Sequence, residues 1–339
     1  MITRAHVLGV VAGLSLFVLL VMGAALALGP APLSPGEIAT VILGRADPSD
    51  SLASTVVLKL RLPRILLAAM TGAGLAVAGA SFQALTRNPL ADPSLLGVSS
   101  GAAFGVVLAQ VLELGPTPLG FVGLAGFAFL GAVLAACAVY FIARIGAVMP
   151  VQTLLLAGVI VALFFSSAIT LMISLVDFVR LGTILHWLLG NLGPVSYSSL
   201  EVLALALAVG IGIVLTRARA LNVLAAGEES ALQLGVESER VKRVIFLAAS
   251  FITAMVVSVS GPIGFVGLII PHTVRMLFGA DNRLLIPASV LVGAAFLVLA
   301  DALSRTVIQP SELPVGVITA FCGAPFFIYL LRTRPGRML

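Results

Sequence analysis

Residues 217–243 read RARALNVLAAGEESALQLGVESERVKR and contain nine of the chain's 33 charged residues (19 basic and 14 acidic). Long uncharged runs flank this stretch on both sides. Charges and open backbone groups are costly in hydrocarbon, so a segment this polar must lie in water between two membrane spans. We call residues 217–243 the polar segment, and we expect a soluble partner to bind it.

The composition of the whole chain is that of an integral membrane protein. Its 339 residues are 60% hydrophobic and 10% charged, and the mean hydropathy is +1.19, whereas soluble domains carry about 25% charged residues. About ten apolar runs are each long enough to cross roughly 30 Å of hydrocarbon as a helix. The sequence therefore predicts an all-α fold of about ten transmembrane helices in one domain, residues 1–339. The first run, residues 7–28, is longer than a signal-peptide core and is expected to be retained rather than cleaved.

The basic residues predict how the spans are oriented. With the N-terminus inside, thirteen of them fall on the cytoplasmic side and six outside, which is the positive-inside distribution. The inner set is Arg4, Arg87, Arg144, Arg217, Arg219, Arg240, Lys242, Arg243, Arg275, Arg283, Arg332, Arg334 and Arg337, and the outer set is Arg45, Lys59, Arg61, Arg64, Arg180 and Arg305. Both termini and the polar segment are expected in the cytoplasm, with outer loops at about 29–62 and 177–197. The positive-inside distribution accounts for the net charge of +5, so this charge does not indicate a nucleic-acid partner.

Hydroxyl side chains recur at every fourth residue of the fifth predicted span. Ser166, Thr170 and Ser174 share one face of that helix. Such a face either lines a polar passage through the membrane or forms hydrogen bonds to a neighbouring helix. The three residues are therefore candidate pathway residues, with both interpretations open.

A short amphipathic stretch, residues 184–189, lies in the second outer loop and ends in Gly190 and Asn191. It predicts a helix at the membrane surface, with Trp187 as its interfacial anchor. His186 lies beside that tryptophan, where it either touches a metal chelate or is an ordinary surface histidine. Together these residues are candidates for the outer mouth of the pathway.

The sequence offers no complete motif for chemistry carried out by the chain itself. A Walker A loop needs glycine before its lysine, but Lys59 follows Leu and Lys242 follows Val, so the chain cannot be its own P-loop ATPase. No metal-ligand spacing of His and Cys occurs, and no metal or cofactor is expected in this chain. Residues 97–101, GVSSG, match a hydrolase nucleophile elbow, which needs a strand before its helix. Here the glycines belong with Gly105 to a small-residue face suited to close helix contact.

The centres of the predicted spans hold almost no ionisable residues. Ion-coupled secondary transporters keep a buried acid or base on the pathway, whereas Asp177, Glu201 and Asp301 all fall near outer ends of spans. An ion-coupled secondary transporter is therefore the alternative that the sequence disfavours. The expected energy source lies outside this chain and docks on the polar segment.

Six sets of motifs carry a resemblance to a known family. They are residues 61–64 (RLPR), 83–93 (QALTRNPLADP) with 96–97 (LG), 187–190 (WLLG), 227–235 (GEESALQLG), 264–272 (GFVGLIIPH), and 312–316 (ELPVG) with 323–326 (GAPF). In this order, over essentially the whole chain, they resemble the permeases of ABC importers for iron siderophores, haem and cobalamin. The resemblance implies the type II importer permease fold in the bacterial inner membrane, with an iron siderophore the first candidate substrate, haem the second and cobalamin the third.

The resemblance also implies partners. It implies a second copy of the chain, two ATP-binding cassette subunits on the cytoplasmic face, which would bind the ATP and Mg, and a periplasmic substrate-binding protein; membrane lipid surrounds the spans. In the family the polar segment forms coupling helices that receive the ATPase subunits, and a merely solvated loop is the alternative. The corresponding residues here are Ala225, Gly227, Glu228, Glu229, Ala231, Leu234 and Gly235. The acidic pair suits a helix start, and Gly235 suits the end of that helix.

Outer arginines of the family dock acidic residues of the binding protein. The positions that match in this sequence are Arg61, Arg64 and Arg305. The alternative is that they are ordinary basic anchors beside the spans. The sequence thus predicts two partner surfaces, at opposite ends of one helical bundle.

Overall fold

The computed structural model describes residues 3–29, 31–45, 52–113, 123–308 and 311–333. Over these residues the chain is helical, and the only β-type pairing among them is an isolated bridge between Ile145 and Val148. The predicted all-α fold class is confirmed. The stretch after the GVSSG motif is helix without a preceding strand, so the hydrolase interpretation has no structural basis.

The helices follow one another along the chain as the hydropathy predicts. The first half contains α1 Arg4–Ala27, α2 Pro35–Ile42, α3 Leu52–Ser54, a π-helix Thr55–Arg61, α4 Leu62–Thr86, a 3-10 helix Pro93–Leu96, α5 Val98–Val111, α6 Gly123–Ala143 and α7 Val151–Ile173. The second half contains α8 Phe178–Leu188, α9 Tyr197–Thr216, α10 Ala218–Ala225, α11 Glu228–Gln233, α12 Ser238–Ser260, α13 Val266–Phe278, α14 Asn282–Ser304 and α15 Val315–Thr333. Within the described residues, seven helical stretches are long and apolar enough to span a membrane, and α5, α13 and α15 contain shorter apolar ones. Together they correspond to the ten predicted spans.

The first predicted outer loop contains helices that the sequence did not predict, so its description as a loop is wrong in part, whereas the second contains the helix predicted at 184–189. Residues 29–62 include α2 and a helix that starts at Leu52 and continues into α4 as one 35-residue apolar stretch. Ser34 and Glu37 form a reciprocal capping box that starts α2. In the second loop α8 starts at Phe178, six residues before the predicted helix at 184, because Asp177 caps it by accepting the backbone N–H of Arg180.

Helix α4 lies at the centre of the bundle, where glycines let neighbouring backbones touch it. A Cβ atom at Gly72 would lie 2.1 Å from the carbonyl oxygen of Gly293 in α14, and one at Gly79 would lie 1.9 Å from that of Gly267 in α13. Neither distance is possible for a real side chain. The contacts of α4 with α13 and α14 therefore require glycine at these two positions.

The predicted small-residue face of α5 packs against α6. Added Cβ atoms at Gly101 and Gly105 would lie 2.4 Å and 2.1 Å from the carbonyl oxygens of Gly131 and Phe127. Gly97, the third member of the face, instead starts α5 in a left-handed conformation with φ of 76°. The prediction of close helix contact is confirmed for Gly101 and Gly105 against α6, and Gly97 approaches α7 instead, where a Cβ would lie 3.4 Å from the carbonyl oxygen of Gly158.

The two predicted partner surfaces lie at opposite ends of α4. This helix has 25 residues and is therefore about 37 Å long at roughly 1.5 Å per residue. Arg61 and Arg64 lie at its start, while Arg87 follows its end and pairs with Glu228 of α11 at 3.5 Å. The polar segment and the outer arginines are thus separated by the length of a membrane-spanning helix.

Candidate coupling and partner-docking surfaces

The polar segment folds as two short helices, α10 and α11, followed by the start of α12. Gly227 has φ of 124° and opens α11, whose first two residues are Glu228 and Glu229. Negative charge at a helix start is favourable because it faces the positive end of the helix dipole. The predicted position of the acidic pair is confirmed.

Gly235 ends α11 in a Schellman motif. Its φ is 72°, its N–H donates to the carbonyl of Leu232 at 3.0 Å, and the N–H of Val236 donates to the carbonyl of Ala231 at 2.9 Å. This bond pattern needs a left-handed residue at the glycine position. The predicted helix end at Gly235 is confirmed.

A buried lysine ties the polar segment to the bundle. Lys242 is 2% exposed, and its Nζ lies 3.1 Å from a carboxylate oxygen of Glu228 and 2.5 Å from one of Glu239. It also donates to the carbonyl of Met149 at 3.2 Å, while the N–H of Met149 donates to Glu239 at 2.7 Å. The link joins α11, α12 and the turn between α6 and α7. The sequence analysis places Lys242 only among the inner basic residues, although its spacing of three from Glu239 indicates a local ion pair.

The surface that the polar segment presents to solvent is apolar at its centre. Leu232 and Leu234 are 66% and 70% exposed, and Ala225, Ala226 and Glu229 are exposed beside them. Of the seven predicted coupling residues, Gly227 and Glu228 are half-buried and Ala231 is fully buried on the inner side of α11. It supports the surface from inside instead of contributing to it.

Helix α10 is fixed to the start of α14 by polar contacts. The Asn222 amide donates to Asp281 at 2.7 Å and accepts from the backbone and side chain of Asn282 at 2.8 Å. Asp281 also caps α14 and binds Arg283. The Arg283 hydrogen bond holds the pKa of the Asp281 carboxyl well below its ordinary value, so this acid stays ionised and paired.

At the opposite end the three predicted docking arginines line one cleft, and two of them, Arg64 and Arg305, bind Asp301. Arg64 and Arg305 contact its two carboxylate oxygens at 2.8 Å and 3.0 Å, and Asp301 itself is fully buried. Arg64 also pairs with Glu312 at 2.7 Å, and Arg61 donates to the carbonyls of Leu26 and Ala31. The sequence analysis predicts that the three arginines lie at one end of the bundle, but it does not predict their pairing with Asp301. Asp301 is 237 residues from Arg64 along the chain.

A cleft of about 220 Å³ opens above this cluster. It is lined by Ala31, Val56, Leu60, Arg61, Arg64, Gly193, Pro194, Arg305 and Glu312. Arg61 and Arg305 are each only 4% exposed, whereas the side chains of Arg64 and Glu312 are 16% and 44% exposed. Any partner that reaches this end of the chain therefore meets Arg64 and Glu312 first, with the other two arginines beneath them.

The hydroxyl face of α7 is exposed on the outside of the monomer. Ser166, Thr170 and Ser174 are all exposed, and the last two donate to the carbonyls of Ser166 and Leu171 in their own helix. Within the described residues these two hydroxyls form no bond to a neighbouring helix. Because these hydroxyl groups already donate to carbonyls of their own helix, the surface that they form is only weakly polar.

The residues around Trp187 form a joint between α8 and the ends of α12 and α15. His186 and Asn191 are 2.6 Å apart through Nε2 and Nδ2, and the N–H of Asn191 donates to the carbonyl of Ser260 at 2.9 Å. Gly190 has φ of 75°, and a Cβ there would lie 2.6 Å from the carbonyl oxygen of Pro262. Trp187 is half-buried against the α5 and α6 core, so it holds α8 to the bundle in addition to facing the surface.

These features define a class: a polytopic helical membrane protein with a structured polar surface at one end and an arginine cleft at the other. Comparison with known proteins then identifies the family. The family model described as the FecCD transport family matches residues 16–333, and the chain belongs to this family. It is the transmembrane permease subunit of an ABC transporter, a subunit that is not itself the ATPase.

Individual relatives agree over most of their lengths. The chain is 46% identical over 287 residues to a cobalamin import system permease protein of Halobacterium salinarum, covering 85% of this chain and 76% of that one. It is 41% identical over 277 residues to an Fe(3+)-citrate import system permease protein of Bacillus subtilis, covering 82% and 81%. A solved ABC transporter of the metal-chelate type, in an inward-facing conformation, superposes with a TM-score of 0.82 at 32% identity, covering 96% of this chain and 99% of that one.

Proposed function

We propose that this chain is the permease of an ATP-driven importer of a metal chelate in the bacterial inner membrane. Two copies would form the passage, two ATP-binding cassette subunits would bind the polar segments from the cytoplasm, and a periplasmic binding protein would deliver the chelate. The relatives named for cobalamin and Fe(3+)-citrate support the substrate class. An iron siderophore, haem and cobalamin are the candidates within it.

The observation that carries the proposal is the exposed apolar surface of the polar segment. Leu232 and Leu234 are exposed at the end of a short helix whose first residue, Glu228, pairs with Arg87 and Lys242 and whose last turn closes in the Schellman motif at Gly235. Exposed apolar residues surrounded by polar ones are typical of protein interaction sites. The connection of α11 to α12 through Lys242 offers a route by which movement of a bound ATPase reaches the spans.

The hydroxyl face of α7 supports pairing with a second copy. Ser166, Thr170 and Ser174 lie on the outer surface of the monomer, beside exposed large apolar residues such as Phe164 and Leu171. A second copy placed against this side of α7 would enclose the hydroxyl face between subunits. A bulky chelate would then pass over weakly polar walls that do not bind it tightly.

The proposal is tested by replacing the two exposed leucines together, as Leu232→Asp and Leu234→Asp. We expect the permease to fold but to lose binding of its ATPase subunit by about tenfold or more, with ATP-dependent uptake falling in parallel, because the apolar contact is removed. Glu237→Ala with Arg240→Ala is the matched control, since this exposed pair lies beyond α11. Unchanged ATPase binding in the aspartate variant would exclude this surface as the docking site.

A further inference from the structure

A second cleft lies at the same end of the bundle as the polar segment, but outside the coupling surface. It has a volume of about 330 Å³ and is lined by Arg4, Val7, Leu8, Arg219 and Arg283. This space is large enough for a ligand much bigger than a single water molecule, which needs only about 10–15 Å³ of it. The three arginines come from the first turns of three different helices, α1, α10 and α14.

The chain balances only part of the positive charge in this cleft, because Arg283 has an acidic partner and the other two arginines do not pair with an acid among the described residues. Asp281 pairs with Arg283, and its carboxylate also accepts a hydrogen bond from Asn222 and caps α14. Among the described residues no acid pairs with Arg4 or Arg219, and the first turns of α1, α10 and α14 contain no acidic side chain. Arginine at a helix start also faces the positive end of the helix dipole, so the charges add to an unfavourable potential. An anion in the cleft would relieve it.

The cleft is continuous with a surface built for lipid. Its apolar members, Val7 and Leu8, belong to α1, in which only 11% of the most apolar 18-residue window is buried. Farther along α1, Leu16, Leu19 and Leu20 are 60%, 65% and 63% exposed. A ligand that lies here would have its charged group among the arginines and its apolar part along α1.

We propose that this cleft binds the phosphate headgroup of an anionic phospholipid, with the acyl chains packed along the exposed face of α1. Guanidinium groups bind phosphate oxygens in pairs, and basic pockets between membrane helices at the cytoplasmic side are suited to such headgroups. The lipid would tie α10, which begins the polar segment, to α1 and α14. It would therefore anchor the coupling region to the inner leaflet, independently of which chelate is transported.

The test is native mass spectrometry of the purified full-length chain with added cardiolipin, phosphatidylglycerol or phosphatidylcholine. We expect cardiolipin and phosphatidylglycerol to bind more tightly than zwitterionic phosphatidylcholine. In the double variant Arg4→Gln with Arg219→Gln, cardiolipin affinity should fall about 30-fold, since each arginine near a lipid headgroup contributes roughly a factor of five. Arg283 is left intact because it binds the cap of α14.

The matched control is Arg144→Gln with Arg240→Gln, which removes two exposed arginines that do not line the cleft. Its cardiolipin affinity should stay within about twofold of the wild type. An equal loss in the control variant, or equal binding of phosphatidylcholine by the wild type, would overturn the proposal. Displacement of cardiolipin by millimolar inorganic phosphate would also overturn it, since the site would then bind free phosphate. Even if the double variant does not fold, equal binding of the three lipids by the wild type would overturn the proposal, and none of these measurements depends on transport.

Discussion

Lys242 shows how a single residue connects the polar segment to the membrane helices. Its ammonium group is 2% exposed, yet its partners Glu228 and Glu239 keep 38% and 27% of their side chains exposed. The ion pairs therefore combine a desolvated cation with acids that remain partly hydrated, and the Met149 carbonyl completes the coordination. Burial of a lysine is tolerated where such partners surround it.

We expect Lys242→Met to lower the free energy of unfolding by about 2 kcal/mol, because Glu239 loses its cation and Glu228 keeps only the longer pair with Arg87, while the apolar stem is kept. ATP hydrolysis should continue with less transport per ATP, since α11 is no longer tied to α12. The measurements are denaturant unfolding and the ratio of chelate transported to ATP hydrolysed.

The control for this change is Arg240→Met on the same helix, whose ion pair with Glu237 is exposed and 3.8 Å long. It should change stability by no more than about 0.5 kcal/mol. A Lys242→Met protein that keeps the wild-type transport ratio would show that the buried pair has no part in coupling.

A second prediction at the residue scale concerns the cleft lined by Arg61, Arg64, Arg305 and Glu312. Reversing all three arginines would break their bonds to Asp301 and to backbone carbonyls, so Glu312, which is 44% exposed, is the better position to change. If acidic groups of a binding protein dock here, Glu312→Gln should speed association about threefold at low salt, because one repulsive charge is removed while Arg64 keeps its bond to Asp301.

Stopped-flow association at low and high salt measures this effect. Glu201→Gln is the control, because Glu201 is an exposed acid in the first turns of α9. This part of α9 is near the cleft, since Tyr197 at its start donates a hydrogen bond to the Leu58 carbonyl. Slower association of the Glu312→Gln protein, or equal acceleration in the control, would contradict docking at the arginine cleft.

At the scale of elements, the end of α11 depends on one glycine. Gly235 has φ of 72° and open space where a side chain would project, so a substitution there tests backbone conformation alone. Gly235→Val should destabilise the left-handed turn by about 1–2 kcal/mol and uncouple ATP hydrolysis from transport, because the exposed leucines move with the helix end.

Gly235→Asn is the matched variant, because asparagine adopts the left-handed conformation more readily than other side chains. It should retain most of the coupling, as judged by the same transport ratio. Equal loss in both variants would mean that the side chain, and not the backbone conformation, is what the site excludes.

Local signals in the sequence predicted the elements well and their long-range contacts poorly. The apolar runs, the acidic start of α11 and its glycine end are all encoded within a few residues, so they could be predicted. The capping box of Ser34 and Glu37 was equally local and was missed, which is why α2 was placed in a loop. The pairing of Arg64 with Asp301 depends on α4 packing against α14, which no local pattern shows.

At the scale of the whole molecule, the bundle places two unlike surfaces at the ends of a membrane-spanning core. The close contacts of α4 with α13 and α14 make that core a rigid connection between them. Among the described spans, the charged residues deepest in the fold, Asp301 and Lys242, lie near helix ends and are paired within the chain. This arrangement favours a permease driven from outside over an ion-coupled secondary transporter, which needs a titratable group on its pathway.

The most direct test is chelate uptake into proteoliposomes that contain the permease with its ATPase subunits and binding protein. The binding protein would be loaded in turn with an iron siderophore, haem and cobalamin. We expect uptake of one of these chelates to require ATP and the ATPase subunits and to continue in the presence of a protonophore. Uptake by the permease alone that a protonophore abolishes would contradict the proposed function and establish the ion-coupled alternative.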